Sequence, residues 1–366
     1  MWWPTKVAFG LKSTSLQGIG LMCGTSQDGL DLADVRFTFQ EGKICYEVTG
    51  KHSFDLPDTL QAAIRDALTM DILSFLQLDQ AVGEFFGDAV STYLKSSGSN
   101  AQFIASHGIT SFHQPEAGIT HQLGSGAKIA TRSGLPVING FREQDIALGG
   151  QGAPLVPYCD QLLFHDYDAT LNLGGFVNVT LLNGEHLLGF DVGPANLLLN
   201  HFADLIELTY DKGGERARRG QVIPELLEAW NKLPFYQLPP PKSLGKEWLD
   251  QAILNKAYTK SYATEDLLHT AVLHIAEQIG KVLDFKGKCL VTGGGAYNTF
   301  LMEVLNERCK TELILPADEL IEFKEAICFA LLGALRWRSE QNTASSVTGA
   351  RRSSSSGYLH LPPLEG

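Results

Sequence analysis

The first fifty residues alternate between apolar and polar positions in the manner of a meander of three antiparallel strands. Gln17 to Cys23 is a mainly apolar run, and every second residue from Val35 to Phe39 is apolar. A third alternating stretch, Ile44 to Val48, follows a turn at Gly42. The glycine-rich segment 24–29 is therefore predicted to lie inside the first hairpin of this meander.

Helices and strands then alternate, and the same order of elements begins again near residue 169. The first cycle continues with helices at 57–70 and 73–95 and strands at 101–106, 119–123 and 135–139. The second cycle has strands at Ala169–Leu173, Phe176–Leu182 and His186–Phe190, a helix at 264–285, a strand at Lys288–Thr292 and a helix at Ala296–Asn306. A glycine pair again occupies the first hairpin. The sequence thus repeats an architecture without repeating its residues.

This doubled order predicts an α/β protein with two ribonuclease-H-like domains of the actin–hexokinase type facing a central cleft. A doubly wound dinucleotide fold would instead begin with one strand that leads directly into a helix. We expect the N-terminal domain to comprise 1–140 plus about 339–366, and the C-terminal domain to comprise 141–338. The polar, serine-rich stretch 339–357 is typical of a solvated loop.

Composition narrows the class of protein. A length of 366 residues with 44% hydrophobic and 19% charged residues fits two ordinary globular domains. The net charge of −12 comes without a basic stripe, so we expect no nucleic-acid partner. No run approaches the roughly eighteen apolar residues of a membrane span, and the N-terminus lacks the features of a signal peptide. We predict a cytoplasmic protein whose six scattered cysteines are reduced thiols rather than zinc ligands.

Three glycine-rich segments are candidate nucleotide loops, because the sequence contains no Walker, dinucleotide-binding or protein-kinase motif. The candidate ATP-binding residues are Gly24, Thr25, Ser26, Gln27, Asp28, Gly29, Leu30 and Asp31 in the first hairpin, Gly174, Gly175 and Asn178 in the second, and Gly293, Gly294, Gly295 and Asn298 after a later strand. Backbone N–H groups of such turns approach phosphates closely, and Asp28 is a candidate Mg²⁺ ligand. One such segment alone is more often merely a turn, so the prediction depends on all three occurring in this order.

The segment FREQDIALGGQGAPLVP, residues 141–157, lies at the predicted domain junction. Clefts between domains often hold catalytic groups, and a kinase needs a carboxylate that takes a proton from the attacking oxygen. Asp145 is the candidate for this base. The alternative is that Asp145 caps a turn or pairs with Arg142, and its position alone slightly favours that alternative.

Together these segments resemble the anhydro-N-acetylmuramic acid kinase family. The motifs that carry the resemblance occur in order from about residue 18 to 338: GLMCGTSQDGLD, SHGITSFHQP, FREQDIALGGQGAPLVP, NLGGFVN, DVGPAN, YDKGG, PPKSLGKE, GGGAYN and KEAICFALLG. The run GGQGAPLVP is the most specific. The resemblance implies an enzyme that uses ATP and Mg²⁺ to phosphorylate O6 of 1,6-anhydro-N-acetylmuramic acid while water opens the anhydro ring, in peptidoglycan recycling.

The resemblance also implies roles for individual residues. Asp145 would be the base that acts on water, and Glu325 a second carboxylate near that water. The sugar side would be lined by residues from several motifs: His107, Thr110, Gln122, Gly124, Arg142 and Asp191. Lys242 would meet a phosphate or the lactyl carboxylate of the sugar, and a solvated role for it is equally open. A structural role also stays open for His107 and for Glu325.

The chain departs from the family pattern at three positions. Cys23 replaces the usual serine, and Ala195 and Asn200 stand where the family commonly has glycine and aspartate. If position 195 required a positive φ, alanine would cost about 1 kcal/mol there. Two alternatives therefore remain, a kinase of the same fold that acts on another sugar and a non-catalytic nucleotide-binding protein. The expected partners are an anhydro amino sugar, ATP and a second copy of the chain, since isologous dimers are the commonest assembly.

Overall fold

The structure is a computed structural model. It describes residues 14–24, 29–40, 42–182, 184, 187–240, 242–254 and 261–364. The chain forms two compact units, Met1–Leu163 with Glu325–Gly366 and Phe164–Lys324. These bounds differ from the predicted ones at 140 and 338, because residues 141–163 and 325–338 pack within the first unit.

The strands of the described residues are numbered β1 to β13 in chain order. They span Ser15–Met22, Gly29–Gln40, Lys43–Asp55, Phe103–Ser106, Ile109–Gln114, Ile119–Leu123, Val137–Asn139, Ala169–Leu173, Phe176–Leu181, Leu188–Pro194, Lys288–Thr292, Glu312–Ile314 and Tyr358–His360.

The α-helices of the same residues are numbered α1 to α13. They span Asp58–Asp66, Ile72–Ser97, Gly126–Ser133, Glu143–Ala147, Val156–Leu163, Asn196–Asp204, Glu215–Arg219, Pro224–Asn231, Lys246–Leu249, Thr264–Val282, Thr299–Arg308, Asp318–Trp337 and Ser345–Thr348. Short 3₁₀ turns lie at Ala67–Thr69, Pro115–Ala117, Lys212–Gly214, Pro234–Gln237 and Gly294–Tyr297, and a π-helical turn at Asp250–Leu254. None of the described helices has the length and apolar content that crossing a bilayer requires.

The first unit is built on a six-stranded mixed sheet with the order β13-β7-β4-β1-β2-β3. β1, β2 and β3 form the predicted antiparallel meander, whereas β4 pairs with β1 in parallel. β1 is buried along most of its length because it lies in the middle of the sheet, and β3 alternates between exposed and partly buried residues because it lies at an edge.

The second unit has a five-stranded sheet with the order β10-β9-β8-β11-β12. Its first three strands are antiparallel, and β8, β11 and β12 run parallel. Both sheets therefore follow one topology, in which two parallel strands are added beside the first strand of a meander. In the first unit β13 extends this arrangement beyond β7. This is the ribonuclease-H-like topology, present twice, and it confirms the predicted fold class.

Each unit has an apolar core between its sheet and its long helices. In the first unit, Phe86 and Val90 of α2 are fully buried against the sheet. In the second, Val272 and Ile279 of α10 are fully buried at helical spacing. Full burial of one such side chain contributes about 1.5–3 kcal/mol relative to exposure, so these helical faces fix the helices on the sheets.

The helix α12 packs directly against the backbone of β1. A Cβ atom placed on Gly20 would lie only 1.8 Å from the carbonyl oxygen of Ala326. Likewise, a Cβ atom on Gly333 of α12 would lie 2.5 Å from the Cβ of Ala105 on β4. The two glycines thus allow α12 to approach the central strands of the first unit, and Glu325 is positioned by this contact.

The serine-rich segment that was predicted to be a solvated loop is folded instead. Asn342 donates a hydrogen bond to the Ser356 carbonyl at 2.8 Å, and the hydroxyls of Thr343 and Ser354 lie 3.0 Å apart. Helix α13 lies between these paired ends. The prediction was wrong because several polar side chains of this segment bond to each other or to its backbone, as Thr343 and Asn342 do, which the composition does not reveal.

Candidate active site

Asp145 is enclosed within the first unit, on the short helix α4. Its exposed fraction is 0%. The Gly152 amide donates to its Oδ2 atom at 2.8 Å, and the Thr348 hydroxyl donates to its Oδ1 atom at 2.7 Å. Both oxygens of a fully buried carboxylate are therefore hydrogen-bonded, as burial of a charge requires.

Two glycines allow the loop after α4 to fold around this carboxylate. A Cβ atom at Gly150 would lie 2.2 Å from Oδ2 of Asp145 and 2.8 Å from the Cβ of Ala350. Gly152 has a φ of 67°, in the left-handed region that glycine adopts without strain. The GGQG sequence thus serves close backbone approach to Asp145, which is a more specific reason for glycine than flexibility.

Arg142 and His107 form a buried pair beside the same loop. Arg142 Nη2 lies 2.7 Å from His107 Nε2, and Arg142 Nη1 donates to the Gly152 carbonyl at 2.7 Å. Burial and the charge of Arg142 lower the pKa of His107 to about 3, so the ring is neutral. Since arginine only donates hydrogen bonds, Nε2 accepts from Arg142 and the ring proton lies on Nδ1.

Glu325 lies within electrostatic reach of Arg142. Burial lowers the pKa of Arg142 to about 10, and the negative charges of Glu325, Glu143 and Asp145, in that order, oppose this shift. Glu325 is partly buried on α12 rather than directed fully into solvent. The two candidate carboxylates, Asp145 and Glu325, therefore neighbour the same cation within one unit.

The hairpin of β5 and β6 carries further sugar-side candidates. Thr110 is exposed and lies opposite Gln122 in the register of the hairpin. Gln122 is buried and donates to the Thr120 hydroxyl at 2.8 Å. The Gly124 amide donates to the Asp79 carboxylate at 2.8 Å, which fixes the chain where β6 ends.

The first glycine loop is only partly described. The candidates outside the described residues are Thr25, Ser26, Gln27 and Asp28. Gly24 follows β1, and Gly29 begins β2. The Leu30 side chain is fully buried in the core, and the Asp31 carboxylate accepts a hydrogen bond from Ser53 at 2.6 Å. Nucleotide binding by this loop stays a prediction.

In the second unit, the glycine hairpin between β8 and β9 is held by the start of α6. The Gly174 carbonyl accepts a hydrogen bond from the Asn196 amide at 3.1 Å. The Gly175 carbonyl accepts one from the Ala195 amide at 2.9 Å. These bonds satisfy amides at the first turn of α6, which have no partners within the helix, and they fix the position of the hairpin.

Asp191, the sugar-side candidate in the second unit, has two hydrogen-bond donors. The Asn178 amide group donates to its Oδ1 atom, and the Leu244 amide donates to its Oδ2 atom at 2.8 Å. Burial raises the pKa of Asp191. Lys242, on the same loop as Leu244, is partly buried, donates to the Phe235 carbonyl at 3.1 Å and lies 4.5 Å from the centre of that ring.

The third glycine segment, 293–295, lies against the strand that leads into the glycine hairpin. Gly293 has a φ of 84°, and a Cβ atom there would lie 2.5 Å from the Asn172 side chain. Asn298 caps α11 by accepting a hydrogen bond from the Leu301 amide at 3.0 Å. Two of the three predicted nucleotide segments are therefore neighbours within the second unit.

Comparison with known proteins covers nearly the whole chain. The family model described as anhydro-N-acetylmuramic acid kinase matches residues 17–362. A relative of that name from Crocosphaera subtropica is 35% identical, with 94% of this chain and 98% of the relative covered. One from Shewanella denitrificans is 37% identical over 92% of this chain and 95% of the relative, and one from Vibrio cholerae is 33% identical over 94% and 98%. The chain belongs to the anhydro-N-acetylmuramic acid kinase family. It is therefore a sugar kinase, and its use of ATP follows from this type of enzyme.

The departures from the pattern of the anhydro-N-acetylmuramic acid kinase family are accommodated locally. Ala195 has a φ of −131°, so alanine meets no left-handed strain at this position. Asn200 is exposed on α6, and Cys23 is buried at the end of the first meander strand. No disulfide bond joins any two of the six cysteines, all of which lie among the described residues.

Two residues near Asp145 and Arg142 were not among the sequence candidates. Thr348 donates directly to Asp145. His113 on β5 has its pKa lowered by burial and, next, by the charge of Arg142. The glycine after Thr348 is typical of an ordered helix end, but a threonine followed by a glycine is equally typical of a loop. The sequence alone therefore does not distinguish Thr348 as a site residue.

Proposed function

We propose that the chain uses ATP to phosphorylate O6 of 1,6-anhydro-N-acetylmuramic acid while water opens the anhydro ring. The product is N-acetylmuramic acid 6-phosphate, an intermediate of cell-wall recycling. Family membership supports the kinase activity and the class of sugar. The observation that carries the assignment of the base is the fully buried Asp145 carboxylate, which is hydrogen-bonded at both oxygens within the most specific motif of the family.

The proposed reaction couples a hydrolysis to a phosphoryl transfer. A lone pair of water attacks the anomeric carbon, and the bond from that carbon to O6 breaks. O6 takes the γ-phosphoryl group of ATP, and the bond from that phosphorus to the bridging oxygen of ADP breaks. Asp145 accepts the proton that the water loses, in the role of a general base.

The neighbours of Asp145 suit this reaction. Glu325 supplies a second carboxylate that orients the water, and Arg142 stays a cation with a pKa of about 10. His107 stays neutral because its pKa is about 3, so it serves as an acceptor for Arg142 and not as an acid. Arg142 in turn donates a hydrogen bond to the Gly152 carbonyl, and the Gly152 amide donates one to Asp145. Both backbone groups of Gly152 therefore fix the loop around Asp145.

The residues proposed to contact ATP in the second unit are the glycine hairpin at 174–175 and the turn at 293–295. Nucleotide binding by the first glycine loop stays a prediction. Mg²⁺ bound to the phosphates would neutralise the charge that develops during transfer, with Asp28 as the predicted ligand. Within the described residues no group of three or more His, Cys, Asp and Glu side chains is arranged to hold a metal ion. One or two carboxylates with waters and substrate phosphates suffice for Mg²⁺.

A mass-spectrometric assay with ATP, Mg²⁺ and the anhydro sugar tests the reaction. We expect a product heavier than the sugar by one water and one phosphoryl group. A product heavier by the phosphoryl group alone would mean ordinary kinase chemistry on a hydroxyl. ATP binding without turnover on any sugar would mean a non-catalytic protein.

Replacement of the base tests the assignment of Asp145. We predict that Asp145→Asn lowers kcat at least about a hundredfold, because the general base is lost, while ATP still binds. Asp34→Asn is a matched control, since Asp34 is also a buried carboxylate of the first unit and accepts hydrogen bonds from Gln17 and Tyr93. The control should lose stability and keep its kcat. Full activity of Asp145→Asn would show that another group is the base.

A further inference from the structure

The Thr348 hydroxyl has one proton and two acceptors within reach. It lies 2.7 Å from Oδ1 of Asp145 and 3.4 Å from the carbonyl oxygen of Ala344. The shorter hydrogen bond to a carboxylate is the stronger of the two, so the proton points at Asp145. Thr348 is only 2% exposed, and bulk water therefore does not compete for this position.

The backbone around Thr348 fixes the hydroxyl in place. Helix α13 ends at Thr348, and Gly349 follows with a φ of 75° and donates its amide to the Ser345 carbonyl at 2.9 Å. Left-handed glycine is a common way to end a helix. The Gln151 amide donates to the Thr348 carbonyl at 2.8 Å. The C-terminal segment is therefore attached to the Asp145 loop through its backbone as well as through the hydroxyl.

Two donors that are far apart in the sequence define the orientation of the Asp145 carboxylate. The Gly152 amide, seven residues away, fixes Oδ2, and the Thr348 hydroxyl, 203 residues away, fixes Oδ1. One fixed oxygen leaves the carboxylate free to rotate about its bond to Cβ, whereas two fixed oxygens determine its plane.

We propose that Thr348 is a positioning residue for the reaction, whose hydroxyl holds the Asp145 carboxylate in one orientation toward the attacking water. This inference rests on the proposed role of Asp145 as the base. Thr348 itself touches neither sugar nor nucleotide in this proposal. It contributes by holding the Asp145 carboxylate in place before the proton is transferred.

Removal of the hydroxyl is expected to lower kcat and to leave nucleotide binding unchanged, a split that a purely structural role would not produce. A carboxylate held at one oxygen is less well oriented, and kcat should fall by about tenfold to a hundredfold, the range for loss of a hydrogen bond to a charged group. KM for ATP should not change.

The test compares three variants of the full chain. Thr348→Val keeps the shape of the side chain without the hydroxyl, and Thr348→Ser keeps the hydroxyl. Thr343→Val is the matched control, because Thr343 is a buried threonine of the same segment that hydrogen-bonds Ser354 instead of Asp145. We expect a lower kcat with an unchanged KM for ATP for Thr348→Val only, a native kcat for Thr348→Ser, and a lower Tm alone for Thr343→Val.

A Thr348→Val variant that lowers only Tm, as the control does, would overturn the inference. If that variant does not fold, Thr348→Ala and Thr348→Ser decide: a lower kcat at an unchanged KM for ATP in the alanine variant alone supports the inference, and a native kcat in both contradicts it. Failure of the proposed function looks different, because Asp145→Asn would then be active or the product would differ. Failure of this inference alone leaves Asp145→Asn inactive and the product unchanged.

Discussion

The Asp145 carboxylate is packed so closely against Gly150 that one additional carbon atom does not fit beside it. We predict that Gly150→Ala lowers kcat by about a hundredfold, the cost of a displacement of about 1 Å at a catalytic group. The added Cβ atom would lie 2.2 Å from Oδ2 of Asp145, so the carboxylate or the loop must move. Steady-state kinetics measure the effect.

Gly134→Ala is the control for Gly150→Ala. Gly134 has a φ of 75° and no atom within 4 Å of an added Cβ, so alanine there costs about 1 kcal/mol of backbone strain without touching Asp145. The control should keep its kcat. Equal losses of kcat in the two variants would show that the space around Oδ2 is not what matters.

Individual site residues were predictable only where a motif carries them. Asp145, Arg142 and His107 lie in specific runs, and the structure does bring these three together. Thr348 was not predictable, because its contact with Asp145 spans 203 residues and a hydroxyl that faces a buried carboxylate has the same sequence as one that faces water. Whether these residues act as proposed is decided by the variants above.

At the scale of elements, the position of α12 depends on one glycine of the central strand. We predict that Gly20→Ala destabilises the protein by about 1–3 kcal/mol, as overpacking of a core does. The added Cβ atom would lie 1.8 Å from the Ala326 carbonyl and would push α12 away from β1. Because Glu325 precedes Ala326, kcat should fall as well.

Urea unfolding and steady-state kinetics of Gly20→Ala are best compared with Gly42→Ala. Gly42 lies in the turn between β2 and β3 with a φ of 75°, and no atom lies within 4 Å of an added Cβ. This control should lose about 1 kcal/mol through strain and keep its kcat. A Gly20→Ala variant no less stable than the control would contradict the close packing of α12.

Elements with a clear period were predicted, and short ones were not. The meander follows from the apolar run of β1 and the alternation in β2 and β3, and the helix α10 follows from helical spacing. The strands β12 and β13 have three residues each, too few to show any period. Helix α11 begins at Thr299 and not at Ala296, because Gly294–Tyr297 forms a 3₁₀ turn and Asn298 provides the cap.

For the molecule as a whole, a buried histidine makes stability depend on pH. His274 is 0% exposed, its Nε2 atom lies 2.8 Å from the Tyr236 hydroxyl, and its Nδ1 atom lies 2.6 Å from Oδ1 of Asn231. Burial, and next the charge of Lys281, lower its pKa to about 3. In the unfolded chain the ring takes up a proton below about pH 6.5. The unfolded state therefore binds more protons, and stability falls as the pH falls from 7 toward 3.

We predict that His274→Gln loses less stability between pH 7 and pH 5 than the native protein does, by about 2 kcal/mol. The glutamine variant is less stable at pH 7, but it no longer has a ring that must stay neutral. Urea unfolding at the two pH values measures the difference. His165→Gln, at an exposed position, is the control and should keep the native pH dependence. An unchanged pH dependence in His274→Gln would contradict the argument.

The second unit, Phe164–Lys324, is inserted in the sequence between the two parts of the first unit. Domains generally fold as units while the chain is being synthesised. When the last residue of the second unit has left the ribosome, the first unit still lacks the part of α12 from Glu325 onward, β13 and Thr348. The second unit can therefore finish folding before the first unit does. Until the rest of α12 has been synthesised, this helix cannot cover the central strands of the meander. A ribosome that stops early, or a protease that removes the last twenty or so residues, would release a protein whose proposed base lacks one of its two donors.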